Sequence, residues 1–219
     1  MSFFCGPWIL AVLAIFILNA STRAFAEPER YDFPELDRKG PVKLVFPSVP
    51  KVADLAAEKI EAHKENEARR KSIAALLRRY NKKLTDDEAY DYAVFIIQTC
   101  EKFGQDPFVI AALVVTESSA RHDVVSRGGD YGLMQVRWRV HEKKIRNKYP
   151  HIEKAKDMLN PQNNMLVGIE IFATYHATAK QDVRRALLYY SAGNKRAADK
   201  VFTLIAQLEK SYHERLKNS

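Results

Sequence analysis

Val109-Ile110-Ala111-Ala112-Leu113-Val114-Val115-Thr116-Glu117-Ser118 is the stretch that decides the fold, and Ser126-Arg127-Gly128-Gly129-Asp130-Tyr131-Gly132-Leu133-Met134-Gln135 follows close behind it. Asp106-Pro107 opens the run with an N-cap and a proline at the first helical position, so the apolar stretch reads as a helix. A helix that is hydrophobic all round is central and buried, so the domain is organised around a helical core. Glu117 closes this run. Burial disfavours its charged form, and the C-terminal end of a helix repels a carboxylate. No Lys or Arg lies within three residues of it, the nearest being Arg121. All three effects hold a carboxyl in its acid form near neutral pH, as a general acid requires. A buried glutamate satisfied by a neighbouring helix would show the same local pattern, so the rest of the chain carries the decision.

Other helices announce themselves by their caps. Thr85-Asp86-Asp87-Glu88 is a capping box that opens a helix to about Phe103. Asn160-Pro161 starts another, through about Ala179. Asp182 caps a helix to Tyr190, and Asn194 to Lys217 reads as a last amphipathic helix. From Val52 the apolar positions Leu55, Ile60, Ile73, Leu76, Leu77 and Tyr80 follow a helical period, as one long helix or two shorter ones. Residues 61–71 are almost entirely charged, with Glu65/Arg69 and Glu67/Lys71 at i,i+4 spacing, and read as a solvated face. Between 27 and 50, Pro28, Pro34, Pro41, Pro47 and Pro50 are too dense for a helix. That segment is expected to be extended, with a short strand at Val42 to Phe46. The fold class is therefore mostly α, with the principal domain over 81–219, a helical extension over 51–80 and a proline-rich segment over 27–50.

Trp8 to Leu18 form an apolar run, and Ala24-Phe25-Ala26 has the small-x-small pattern of a signal-peptidase site, so residues 1–26 read as a cleaved export signal. The first seven residues lack Lys and Arg, which is atypical for such a signal, and an uncleaved anchor is the alternative. The run falls short of the ~20 residues of a comfortable membrane span. The expected location is thus the periplasm or cell envelope. With 35 basic and 27 acidic residues the chain carries a net charge of +8, and cleavage would remove Arg23 and no acid. A basic exported protein suits an anionic extracellular polymer or a membrane surface, whereas export argues against nucleic acid. Cys100 would be the only remaining cysteine, so no intramolecular disulfide forms. It falls on the stripe Ala89, Ala93, Ile96, Phe103, where a thiol acts as a small hydrophobe. No His or Cys spacing fits a metal, and no Gly-rich phosphate loop appears, so no metal or cofactor is expected.

The stretch from Phe103 to Gln135 resembles the catalytic core of the soluble lytic transglycosylases, lysozyme-like enzymes that cleave peptidoglycan glycan strands. Glu117-Ser118, Ser126 nine positions after Glu117, and Gly132 to Gln135 keep that family's residue types and spacing. Asn160-Pro161-Gln162-Asn163-Asn164-Met165-Leu166-Val167-Gly168 is similar to its Asp-Pro-x-x-Asn-Ile-x-x-Gly block, and Tyr190-Ser191-Ala192-Gly193 to its Tyr-Asn-Ala-Gly block. The resemblance covers roughly 90–205. It implies a lysozyme-like helical fold and the glycan strand as partner, with cell-envelope machinery as a further candidate. It also implies roles. Glu117 would be the single acid/base, protonating the oxygen between N-acetylmuramic acid and N-acetylglucosamine and then taking the proton of the C6 hydroxyl, which closes a 1,6-anhydro ring. Ser126 would hydrogen-bond near the acetamido group or the Glu. Met134 and Gln135 would line the sugar cleft, the Tyr190 hydroxyl would position Glu117 or the developing ring charge, and Asn164 would orient the cluster.

The residues alone allow plainer roles. Gly128, Gly129 and Gly132 serve backbone conformation, and Leu133 and Met134 fit a core as well as a subsite. Tyr189 and Tyr190 are adjacent on a helix, so only one is expected to reach the cleft, and the family position picks Tyr190. Three departures from the family pattern matter. Asp130 stands where a small residue is usual, Ser191 replaces an asparagine, and Arg137-Trp138-Arg139-Val140-His141 replaces the usual continuation. The last stretch is similar to goose-type lysozymes, which carry Arg-x-His there but an aspartate at the position of Arg137. An inverting hydrolase needs a second carboxylate ~6.5–9.5 Å from the acid; Asp130 is the candidate, with Asp123 behind it. A goose-type hydrolase and a non-catalytic wall-binding or secretion-apparatus scaffold are therefore the alternatives to the lyase. Residues 137–156 hold eight Lys or Arg against two acids, a substrate-facing patch or a solvated helix face.

Overall fold

Helices dominate the chain, and most begin at a side chain that satisfies their first free N–H groups. The computed structural model describes residues 52–218. The expected export signal over 1–26, the proline-rich segment over 27–50 and the strand expected at 42–46 lie outside the described residues. The elements are α1 (Val52–Tyr80), α2 (Asp86–Phe103), α3 (Pro107–Ser118), β1 (Asp130–Tyr131), β2 (Val136–Arg137), α4 (Trp138–Lys148), a 3-10 turn (Ala155–Leu159), α5 (Pro161–Thr178), α6 (Val183–Tyr190) and α7 (Lys195–Lys217). The mostly α expectation is met. Thr85 and Glu88 form the reciprocal capping box of α2, with Glu88 N donating to Thr85 Oγ1 at 3.1 Å and Thr85 N to Glu88 Oε2 at 2.8 Å. Asp106, Asn160, Asp182 and Asn194 cap α3, α5, α6 and α7.

Seven consecutive residues of α3, Val109 to Val115, are buried. At about 1.5–3 kcal/mol for each large apolar side chain, the valines, Ile110 and Leu113 stabilise the fold by on the order of 10 kcal/mol before chain entropy is counted. α7 lays Ala198, Val201, Leu204 and Leu208 against this centre, a stripe with helical spacing. Cys100 lies in the same core, and burial pushes its thiol well above the usual range, as a structural thiol requires.

α1 is one continuous helix with two different halves. Leu55 and Ile60, expected as packing positions, are exposed at 43% and 58%. Ile73 and Leu77 are wholly buried in the common core, so the later part of the expected helical extension packs as part of the domain. The charged middle is only partly solvated. Ala68 is buried, and Glu67 accepts from Arg70 at 2.7 Å and from the Tyr90 hydroxyl at 2.8 Å. Arg69 donates to Asn66 at 3.4 Å. The pairs formed are thus three residues apart, and Arg69 lies over the Tyr212 ring of α7.

Candidate active site

Glu117 occupies the last turn of α3, and the chain then makes an unusual exit. Ser119 is the C-cap in the left-handed region at φ 55°, its N–H donating to Val115 O at 3.0 Å, and Ala120 follows at φ 59°. Two such residues in a row carry a backbone cost of about 1–3 kcal/mol each and persist only where the surroundings impose them. Asn81, just beyond α1, imposes one by donating its amide to Ala120 O at 2.9 Å. Glu117 lines a cleft of about 410 Å³ bordered by the β-hairpin, α4, α5, α6 and the start of α7. Burial pushes the Glu117 carboxyl up to about 7, the charge of Asp130 adds to the rise, and Lys200 opposes it. The burial expected from sequence is therefore the dominant cause. The Asp130 and Lys200 contributions come from residues distant in the chain.

The hairpin after α3 is built around one buried amide. Asn164, at the start of α5 and 1% exposed, accepts from Met134 N at 2.7 Å and donates to Tyr131 O at 2.7 Å and Met158 O at 2.8 Å. It ties the hairpin turn to both the 3-10 turn and α5. Gly132 lies against it at φ 71°, where a Cβ would fall 2.5 Å from Asn164 Nδ2 and 2.6 Å from Met158 O. Tyr190 completes the scaffold by donating its hydroxyl to Met134 O at 2.8 Å, its ring packed against Phe172 and Tyr175. Burial holds its phenol well above the usual range, so it stays a donor.

The expected site residues divide into two groups. Glu117, Asp130, Gln135 and Tyr190 line the cleft together. Ser126, Met134 and Asn164 do not; each acts behind it. Ser126 donates to Asp130 Oδ2 at 2.8 Å and accepts from the N–H groups of Gly128 and Asp130, so its hydroxyl is committed to the turn and meets neither Glu117 nor the open cleft. The Met134 side chain is fully buried against Gly168 of α5, which is the core role, and only its backbone serves the site. Gln135 lines the cleft at φ 48°, its Nε2 donating to Gly132 O at 2.8 Å and Val124 O at 3.3 Å, which leaves its side-chain oxygen without a donor among the described residues.

Both tyrosines of the adjacent pair reach the cleft, contrary to the expectation that only one could. α6 ends at the cleft wall, where both rings pack against Tyr175, Tyr190 at 6.2 Å on the enclosed side and Tyr189, 45% exposed, at 6.4 Å on the open side. Ser191, in place of asparagine, bonds locally to Leu187 O at 2.8 Å. His141, noted in the sequence within the stretch similar to goose-type lysozymes, also lines the cleft, as does Tyr175, which escaped the sequence reasoning. Tyr175 follows Ile171, another lining residue, by one helical turn of α5, and that spacing was the available signal. Burial holds His141 below its usual value, so it is neutral at pH 7.

Asp130 and Arg137 are directly opposite each other in the antiparallel β1–β2 pair. Arg137 Nε donates to Asp130 Oδ1 at 2.6 Å and a terminal nitrogen donates to Oδ2 at 3.0 Å. That fork, helped by Ser126, holds the Asp130 carboxyl below the usual carboxylate range. Asp123 is exposed and does not line the cleft. Of the eight Lys and Arg residues over 137–156, only Arg137 borders the cleft. Lys144 and Lys148 face Glu170 at 3.6 and 2.9 Å, and Arg146 pairs with Glu142, so much of that patch answers the protein's own acids.

No curated protein matches the chain. The transglycosylase SLT domain family matches residues 95–210, more than half of the chain, and the match takes in every residue that lines the cleft. The chain belongs to the transglycosylase SLT domain family, a family of lysozyme-like peptidoglycan lytic transglycosylases.

Proposed function

We propose that this protein is an exported lytic transglycosylase that cleaves the β-1,4 bond between N-acetylmuramic acid and N-acetylglucosamine and leaves a 1,6-anhydro-muramyl end. The observation that carries the proposal is the pairing of two unlike carboxyls in one cleft. The Glu117 carboxyl is pushed up to about 7, so much of it stays in the acid form near neutral pH, and it has no hydrogen-bond donor among the described residues, while Asp130 is ionised and bound by Arg137. Glu117 gives its proton to the bridging oxygen as the bond to the muramyl anomeric carbon breaks. The carboxylate so formed takes the proton of the C6 hydroxyl, and that oxygen closes onto the anomeric carbon. Glu117 ends as it began, and no water is consumed. Gln135 Oε1 and the tyrosines bordering the cleft supply hydrogen-bonding and stacking surface for the sugars.

Asp130 favours one second reading, a hydrolase of the same bond, because it lines the cleft with Glu117. Its oxygens are spent on Arg137 and Ser126, and a carboxylate held below its usual range is a poor base for water. A scaffold that kept the fold without turnover would not need a protonated acid in an open cleft. Mass spectrometry of fragments released from purified cell-wall sacculi separates the three. Anhydro-muramyl ends support the proposal, reducing ends replace it with the hydrolase, and the absence of soluble fragments leaves the scaffold. Glu117→Gln should abolish product with the fold intact; retained turnover would refute Glu117 as the acid. A hydrolase relying on Asp130 would lose turnover at every pH in Asp130→Asn. Export rests on the 1–26 segment, and N-terminal sequencing of the protein recovered from the periplasm should begin at Glu27.

A further inference from the structure

Two of this chain's departures from its family's pattern, Asp130 and Arg137, are a single feature in the structure. They are cross-strand partners in a hairpin whose strands are only two residues long, joined by two charge-assisted hydrogen bonds. Ser126 adds a third bond to Asp130, so the carboxylate is fixed from two sides. The Asp130 side chain is 17% exposed on the cleft wall, whereas that of Arg137 is 48% exposed and screened by solvent. Both groups border the cleft, the carboxylate as the more enclosed of the two and the guanidinium as the more solvated. Around Glu117 stand Asp130 on β1, Arg137 on β2, His141 on α4, Tyr175 on α5, Tyr190 on α6 and Lys200 on α7. His141 and the Tyr190 phenol are neutral at pH 7, Lys200 favours the carboxylate, and Asp130 is the only anion of the set.

We propose that Asp130 is a positioning residue for Glu117, a carboxylate fixed on the wall of the same cleft that favours the acid over its anion, and that Arg137 and Ser126 hold it in that role. A structural salt bridge alone would not need to face the cleft. A water-activating base would not be clamped by a guanidinium. The inference rests on Glu117 as the reacting acid, but it can be tested without turnover.

The test is a carbon-13 NMR titration of side-chain-labelled glutamate in the full chain, with the Glu117 signal assigned by its absence in Glu117→Gln. The variants Asp130→Asn, Arg137→Gln and Arg137→Lys are compared at matched thermal stability. One charge across a partly solvated cleft at an effective dielectric of ~20–40 moves a titration by roughly 0.5–1 pH unit. Asp130→Asn should lower the Glu117 midpoint by that amount. Arg137→Gln, which keeps the anion and removes its counter-charge, should leave the midpoint at or above wild type, and Arg137→Lys should match wild type. The high-pH limb of kcat/KM on sacculi should move with the midpoints. A shift below ~0.2 unit in Asp130→Asn, too small for a facing charge, overturns the proposal. So does an equal downward shift in Arg137→Gln, which would mark general disturbance of the hairpin. Loss of turnover in Asp130→Asn without movement of the midpoint also overturns it, in favour of direct attack on water. If the midpoints move as expected but wild type releases no anhydro ends, the pair keeps its role and the lyase proposal alone fails.

Discussion

Replacing Asn164 by alanine would remove the amide that holds the hairpin in place, and the structure sets the size of the effect. Three backbone groups would lose their partner: the buried Met134 N–H and Met158 C=O and the part-buried Tyr131 C=O. Stranding a buried polar group costs about 1–3 kcal/mol, and a carbonyl tolerates it better than an N–H. Allowing about 2 kcal/mol for the N–H and about 1 for each carbonyl gives a loss of about 4 kcal/mol. That is a large fraction of the 5–15 kcal/mol by which domains are typically stable. For a domain of this length each kcal/mol lowers Tm by about 2–4 °C, so a fall of roughly 8–16 °C is expected. Urea unfolding followed by circular dichroism, with calorimetry for Tm, measures it directly. Turnover, assayed at a temperature where the variant is still folded, should also drop, because Tyr190 is anchored to the same Met134 carbonyl. Asn164→Asp keeps the acceptor but loses both donated bonds and buries a charge, so it should be no better. A loss under about 1.5 kcal/mol in Asn164→Ala, close to that of one ordinary hydrogen bond, would refute the assignment of the amide as the tie between the hairpin and α5.

Gly132→Ala should cost about 3 kcal/mol or more, since the new Cβ meets the Asn164 amide and the Met158 carbonyl at a positive φ; wild-type thermal stability would contradict the close packing. Gly168→Ala drives a Cβ to 2.6 Å from Met134 Sδ and should destabilise by about 1–3 kcal/mol, read in the same melts. Tyr190→Phe loses one bond to a backbone carbonyl and should cost about 1 kcal/mol in stability while lowering kcat more than KM; an unchanged kcat would remove Tyr190 from the site. Glu117 makes stability depend on pH in a fixed direction. Its carboxyl is pushed up to about 7 in the folded chain, against ~4.3 for an unfolded glutamate. Between those values the unfolded state has released a proton that the folded state keeps, so stability falls as pH rises through the window and the penalty is absent below it. Glu117→Gln should therefore match wild type near pH 4 and exceed it at pH 8 by about 1–2 kcal/mol, after discounting for water in the cleft; equal stability at both pH values would contradict a buried acid.

What was legible in the sequence was local. Thr85, Asp106, Asn160, Asp182 and Asn194 each cap a helix through bonds that reach only two or three residues, so their meaning is written next to them. Glu117 was legible because an apolar helix and its terminus are contiguous. What was hidden depends on contacts between distant parts of the chain. Lys200 approaches Glu117 only once α7 packs on α3. Asp130 and Arg137 looked like separate anomalies because two-residue strands carry no periodic signal, and register alone makes them partners. Ser126 and Met134 keep the family's residue types, but their side chains turn toward the loop and the core. Residue type at a motif position reports that a geometry is needed there, without saying which atom supplies it.

The Asn81 amide, which holds the Ala120 carbonyl at the exit from α3, belongs to a residue that precedes the family match at 95–210. Ile73 and Leu77, wholly buried against the same core, precede it as well. A fragment begun at the first matched residue would expose that core and free the turn that follows Glu117. The unit that inheritance preserves recognisably is thus shorter than the unit that must fold, and the turn that follows the candidate acid is fastened from outside its own signature.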